Sequence, residues 1–251
     1  MSNQTENRWF QPTAFDAFPE VVAIHSLRDT SQPGGFSMLY ATDEQTLAAN
    51  RVALAAAAGF PAERLAFPRL EHGDTVVEVT SDYDTTSRPV ADALITNRPG
   101  WLIGAAVADC IVVLLYDPTH HAIAAIHSGW RGSAKNIVGK TVQTLADRYD
   151  STPADLIAYL SPAPTADEYE VGHEVSEQFG PKYSTRKSDT KDWFDNKLVV
   201  HDQLLAAGVA ANHIASDPRS TMADTHFHSY RRDSKASGRM IVAIGIRKTD
   251  A

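Results

Sequence analysis

The sequence predicts an α/β protein of mixed α+β type, with a mixed β-sheet flanked by helices. Two observations carry this. The runs WLIGAAV (Trp101–Val107), IVVLLYD (Ile111–Asp117), HAIAAIH (His121–His127) and MIVAIGI (Met240–Ile246) are continuous and apolar, as in strands buried on both faces. Other segments repeat apolar residues at helical spacing. The second and third runs are joined by Asp117-Pro118-Thr119-His120, whose turn residues dictate an antiparallel hairpin instead of uniform βαβ crossovers.

The elements follow in order. Asp43 caps a helix through LAANRVALAAAAG, which stops at Gly59 with Pro61 just beyond. FPRLEHGDTVVEVT (Phe67–Thr80) reads as two short strands bent at His72-Gly73. Ser81–Pro89 is polar and turn-rich. Beyond the hairpin, Ala134, Ile137, Val138, Thr141, Val142 and Leu145 recur at helical spacing. Val171, Val175 and Phe179 mark another helix, stopped by Gly180-Pro181, and Lys182–Asp192 reads as a charged loop. A further helix ends at Gly208. Without repeats or a low-complexity linker, residues 1–251 are expected to form a single domain.

Composition bounds the function. A hydrophobic share of 43% and a charged share of 22% are ordinary for a globular core. The net charge of -8 argues against nonspecific binding to nucleic acid or anionic membrane, while leaving room for a local basic pocket. The one cysteine excludes an intramolecular disulfide and fits a reducing cytoplasm. The opening MSNQTENRWFQPTAF lacks the cationic-then-apolar order of a signal peptide. The most apolar run, Trp101–Tyr116, is too short to span a membrane and is broken by Asp109. A cytoplasmic protein is expected.

Cys110 sits between an acid and an apolar strand. A lone cysteine on a strand is ordinarily a small hydrophobe. Asp109, however, needs a partner in such a place, and antiparallel pairing could bring Cys110 and His127 to the same end of the hairpin, depending on the turn register. A cysteine beside a histidine is either an activated thiolate or part of a metal site. His72, at a strand end beside Gly73, is the candidate third ligand. His120 and His121 fall in the turn, His173, His201 and His213 on polar stretches, and His226 and His228 form one H-x-H. Arg131, at a glycine-lined helix start, is the best anion candidate; Arg28 and the pair Arg231-Arg232 are others.

ADCIVVLLYDP…AAIHSGWRG resembles the signature of the YfiH-type family of laccase-domain, polyphenol-oxidase-like proteins, a family also described as purine nucleoside phosphorylases. NRVALAAAAGFP, LEHGDTV, ADALITNRPG, YEVGHEV, QLLAAGV and SYRRDSKASGRMIVAIGI extend the resemblance over most of the chain. It implies a YfiH-like fold and one zinc ion held by His72, Cys110 and His127, with Cu²⁺ able to take its place. Three protein ligands leave a fourth position open, the mark of a catalytic site. The implied chemistry is phosphorolysis of adenosine, inosine, guanosine or methylthioadenosine, and hydrolytic deamination of adenosine. Cys110, His127 and Asp109 would be the catalytic residues, Arg28 and Arg131 would bind substrate, and the partners would be a nucleoside and phosphate, with a monomer as one of the oligomeric states that the sequence leaves open. The chain departs from the family pattern at Phe36–Tyr40, where members carry "SLN", in LSPAPTADEYEVG, and at Ser220-Thr221, where members carry "CT".

Three rival functions use the same residues. A copper-dependent polyphenol oxidase needs many H-x-H pairs, and this chain has one. An amidase that edits a peptidoglycan precursor could use either activated water or a Cys110 thiolate. A binding module would hold the metal without turnover. Replacing Cys110 or His127 by Ala is expected to remove both metal and turnover, while His120→Ala leaves both intact. Metal content per chain and product formation are the measurements, and full activity in Cys110→Ala overturns the assignment.

Overall fold

The computed structural model describes residues 8–248. The start of the polar opening stretch, residues 1–7, lies outside them. The first elements are β1 (Trp9–Phe10), β2 (Val21–Ser26) and α1 (Glu44–Ala58). Next come β3 (Leu65–Ala66), β4 (Val76–Glu78), β5 (Ala93–Thr96), β6 (Leu102–Val107), β7 (Ile111–Asp117) and β8 (Ala122–Ser128). They are followed by α2 (Trp130–Ala134), α3 (Ile137–Tyr149), β9 (Ile157–Leu160), β10 (Glu170–Gly172) and α4 (His173–Ser176). The chain closes with β11 (Ser184–Arg186), β12 (Lys191–Phe194), α5 (Asn196–Ala206), β13 (Ile214–Ser216), α6 (Tyr230–Asp233) and β14 (Met240–Ile246).

These strands form a five-stranded sheet, β1-β2-β14-β6-β3, and a six-stranded sheet, β13-β9-β7-β8-β5-β4, with a small sheet β10-β12-β11 beside them. Both large sheets mix parallel and antiparallel pairs. Val112, Leu114, Ile123 and Ala125 of one sheet pack against Ile103, Ala105, Val242 and Ile244 of the other, so the sheets share one core. Behind the six-stranded sheet, Val113, Leu115 and Ile126 pack on Val138, Val142 and Leu145 of α3 and Leu204 of α5. Behind the five-stranded sheet, Ile24, Ile241 and Ala243 pack on Leu54, Ala55 and Ala58 of α1. The layers are helix, sheet, sheet, helix, which is why the central strands are apolar on both faces.

Local chemistry explains several elements. Asp43 accepts the Thr46 N–H at 2.9 Å, and α1 ends at Gly59 in the left-handed region, at φ 81°. The β7–β8 turn is held by Asp117, whose Oδ1 accepts the N–H groups of Thr119 and His120 at 2.8 and 3.1 Å. MIVAIGI forms β14 over its whole length.

Four expectations change. The segment around Val171–Phe179 is no single helix: Glu170–Gly172 pairs with β12, and only the single turn α4 follows. Val171 and Val175 reach the same apolar cluster, with Phe194 and Val199, from a strand and from a turn. Lys182–Asp192 is not a loop, because Ser184–Arg186 pairs antiparallel with Asp192–Phe194. The helix after Gly132 breaks at Asn136, at φ 55°, into α2 and α3. The segment before His72 forms only an isolated bridge from Arg69 to Val90, and the flanking strands β3 and β4 belong to different sheets.

His25 lies fully buried on β2, stacked on Phe10 and edge-on to Phe227. Burial pushes it down to about 4, with a bond to the Ser26 carbonyl opposing the shift. Between its ordinary value and that value the unfolded chain binds the extra proton, so stability rises with pH there. Acidifying from pH 7 to pH 5 is expected to cost about 2 kcal/mol through this residue. His25→Phe should remove that part of the acid sensitivity in melting curves taken across this range.

A candidate metal centre

The centre forms where the chain passes from one large sheet to the other. Leu102–Val107 belongs to the five-stranded sheet and Ile111–Asp117 to the six-stranded one, so Ala108-Asp109-Cys110 turns the corner. Asp109 takes φ 82° to do so. A side chain in that region costs roughly 1–3 kcal/mol. Two hydrogen bonds offset it: Asp109 Oδ1 accepts from Thr221 Oγ1 at 2.7 Å and Oδ2 from the Arg231 N–H at 2.8 Å. Thr221 is the residue of the Ser220-Thr221 pair that matches the family's "CT", and it holds the corner. Both carboxylate oxygens of Asp109 are thus engaged at the corner.

The β7–β8 register places Ile111 opposite Ser128 and Val112 opposite His127, which brings Cys110 and His127 to one end of the hairpin. His72 arrives from the loop before β4 with φ 56°, also left-handed. The ligand atoms of His72, Cys110 and His127 lie within 4.8 Å of one another. Cys110 Sγ is 3.9 Å from His72 Nε2, and the two imidazole rings meet edge to face at 4.8 Å.

Asp92 organises this set, and the sequence reading missed it. It sits just before β5 and is buried. Its Oδ1 accepts from His127 Nδ1 at 2.8 Å and from the His72 N–H at 2.9 Å, and its Oδ2 accepts the Gly73 N–H at 2.7 Å. The reasoning applied to Asp109, that an acid at the edge of an apolar strand needs a partner, would have found it in ADALIT. Burial pushes the Asp92 carboxyl up, but His127 and the backbone N–H groups outweigh it and hold it below the ordinary carboxylate value. The bond to Nδ1 turns His127 Nε2 toward Cys110 and His72, the arrangement common to metal-bound histidines.

The electrostatics are those of a cation site. Burial raises the Cys110 thiol, yet the His127 charge and hydrogen bonds to both histidines prevail and lower it to about 6. Burial lowers His127, but Cys110 and Asp92 hold it above the ordinary imidazole value. Gly129 completes the site: a Cβ there would stand 3.0 Å from Cys110 Sγ and from His72 Cδ2 and 3.6 Å from His127 Nε2. Its φ of -72° suits any residue, so the space in front of the three donors is what requires glycine. Two imidazoles and a thiolate around such a cradle fit a single borderline ion, and zinc suits this donor set.

The centre opens into a cavity of about 650 Å3. Its wall carries Arg88, Arg131, Lys197, Arg231 and Arg239, none of which pairs with a described carboxylate. Arg131 lies 4.2 Å over the Trp130 ring. Arg28 is placed elsewhere, 3.8 Å from Asp233 and outside the cavity lining. Five other histidines are hydrogen-bonded elsewhere: His120 bonds Asp117, His226 bonds Asp224 and His228 bonds the Gly35 carbonyl. His121 bonds the Tyr116 hydroxyl, and His173 bonds Asp192.

The chain matches the family described as multi-copper polyphenol oxidoreductase laccase over residues 35–247. A purine nucleoside phosphorylase of Bacteroides thetaiotaomicron is 35% identical over 70% of this chain and 68% of its own. One of Deinococcus radiodurans is 32% identical over 83% and 80%. Among solved structures, YlmD from Geobacillus stearothermophilus superposes with a TM-score of 0.88 at 28% identity, covering 98% of both chains. The hypothetical protein YfiH from Bacillus licheniformis superposes at 0.85 with 25% identity, over 93% and 94%.

Asp92→Asn is expected to weaken metal binding by about ten- to a hundredfold in chelator competition. Gly129→Ala should lower metal affinity while leaving the melting temperature of the metal-free protein nearly unchanged. Metal binding at the parental affinity in both variants would overturn the roles given to these residues.

Proposed function

Because the chain belongs to the laccase-like family that includes YfiH and YlmD, we propose that it is a metal-dependent purine nucleoside phosphorylase, with residues 1–251 working as one catalytic unit. One observation carries the reading: a three-donor metal centre opens into a cavity where five of the six wall cations pair with no described carboxylate, Arg69 alone pairing with Glu71. In a protein of net charge -8 that local excess is a binding site for an anionic reactant. Inorganic phosphate is the anion that phosphorolysis consumes.

When bound, a zinc ion supplies a Lewis-acid centre at the cavity floor, and Cu²⁺ is the competitor for the same donors. Arg131 and Arg231 present planar guanidinium groups suited to bidentate contact with phosphate. Arg231 is oriented twice, by its N–H on Asp109 and by its guanidinium on the Glu170 carbonyl at 2.8 Å. Lys197 donates to the Asp217 carbonyl at 2.7 Å, and burial lowers its ammonium below the ordinary value. Tyr169 sits under Arg231, 4.7 Å from ring centroid to guanidinium. Burial first, and the Cys110 charge next, push its hydroxyl up to about 12, so it stays a proton donor. Cys110 must remain reduced to serve as a ligand, which suits the cytoplasm. The candidate nucleosides are adenosine, inosine, guanosine and methylthioadenosine, with deamination of adenosine within reach of the same centre.

Freshly purified protein is expected to hold about one zinc per chain and to form ribose 1-phosphate from a purine nucleoside only when phosphate is present. Arg131→Met should raise the phosphate KM by about tenfold or more, since a charge-assisted bidentate contact is lost. Inosine from adenosine without phosphate would show deamination, and no product under either condition overturns the proposal.

A further inference from the structure

The rim of the cavity carries a feature that a phosphate site does not need. Tyr40 and Tyr230 are both on the cavity lining, and they are the two exposed aromatic residues among the large exposed hydrophobics, 59% and 49% accessible. The Arg239 guanidinium lies 5.3 Å from the Tyr40 ring centroid and 5.6 Å from that of Tyr230. The backbone is built to hold this group. Met38 N–H donates to the Arg239 carbonyl at 2.8 Å, and Arg239 N–H donates to Ser37 Oγ at 2.8 Å. Tyr40 and Ala41 both sit in the left-handed region, at φ 64° and 66°, a conformation that costs free energy at a residue bearing a side chain. Tyr40 also lies in the Phe36–Tyr40 stretch where this chain departs from its relatives' pattern.

The guanidinium is fixed as well as its backbone. Arg239 Nη1 donates to the carbonyls of Ser237 and Gly238 at 3.1 and 2.8 Å. Neither Nε nor Nη2 has a described partner, so the in-plane edge they form keeps its parallel N–H donors unspent in a residue that lines the cavity. An arginine edge of this kind matches the paired acceptors O6 and N7 of a 6-oxopurine. A 6-aminopurine offers a donor in place of O6 and meets the fork with a like group. The two exposed tyrosine rings beside it offer flat faces on which a base can stack.

We infer that Arg239, framed by Tyr40 and Tyr230, reads the purine, and that 6-oxopurine nucleosides are the preferred substrates over 6-amino ones. This rests on the reading of the cavity as a nucleoside site. It assigns Arg239 to the base, whereas Arg131 and Arg231 face phosphate.

The test compares kcat/KM for inosine, guanosine and adenosine at saturating phosphate in the intact protein and in Arg239→Met and Arg239→Lys. The parent protein is expected to favour inosine and guanosine by about tenfold or more, and both variants to collapse that preference toward one. Lysine keeps the charge and loses the fork, so collapse in Arg239→Lys separates geometry from charge. Tyr40→Ala and Tyr230→Ala should raise KM for all three nucleosides, with the phosphate KM unchanged. Calorimetric titration with the free bases hypoxanthine, guanine and adenine gives a readout independent of turnover. Tighter binding of the first two, lost in Arg239→Met, supports the inference even if no ribose 1-phosphate forms from any nucleoside. Equal use of adenosine by the parent, or an Arg239→Met effect confined to the phosphate KM, overturns it. Absence of base binding overturns it as well.

Discussion

One buried carboxylate organises the centre. Asp92 accepts from the His127 ring, from the His72 N–H and from the Gly73 N–H, so a single side chain fixes two ligands and the left-handed backbone of one of them. A buried anion is costly unless it is fully hydrogen-bonded, and here three donors converge on it. The His127 N–H also donates to the Asp92 carbonyl at 2.7 Å, which locks the carboxylate's own backbone to β8. Without Asp92 the turn at His72 would lose the bonds that offset its strain, and His127 would lose the partner that sets its tautomer.

The corner at Asp109 is the counterpart on the opposite side. Both acids sit where an apolar strand begins or ends, and both spend their oxygens on orientation. Asp92 holds the ligands, while Asp109 holds Thr221 and the backbone of Arg231, so the metal centre and the cationic wall are built from the same solution. Neither acid forms an ion pair with an arginine or lysine of the cavity wall. Arginines gathered there keep their attraction for an anion instead of spending it internally.

Much of the fold is legible because its signals are local. The Asp43 cap and Gly59 stop bound α1, the Asp117 turn fixes the β7–β8 hairpin, and the apolar run of β14 can be nothing but a buried strand. The small sheet is not legible. Its strands are three and four residues long, and the charged hairpin Ser184–Phe194 shows no alternation strong enough to oppose a loop reading. Strands β2, β9 and β13 were likewise unread, since short apolar runs do not announce their partners.

The same division holds at the site. The sequence alone put Cys110 and His127 on the two arms of one predicted hairpin with matching arm lengths, while the register that brings them to the same end is set by the folded strand pairing. Local context made His72 a candidate third ligand and motif resemblance strengthened it, while local chemistry marked Arg131 as an anion candidate. Only the tertiary structure decided that Asp92 ties His72 to His127, that Gly129 keeps the cradle open, and that Arg231 and Arg239 line the cavity while Arg28 turns to Asp233. Those facts depend on contacts between segments far apart in the chain, which follow from how two sheets pack and which no local pattern encodes.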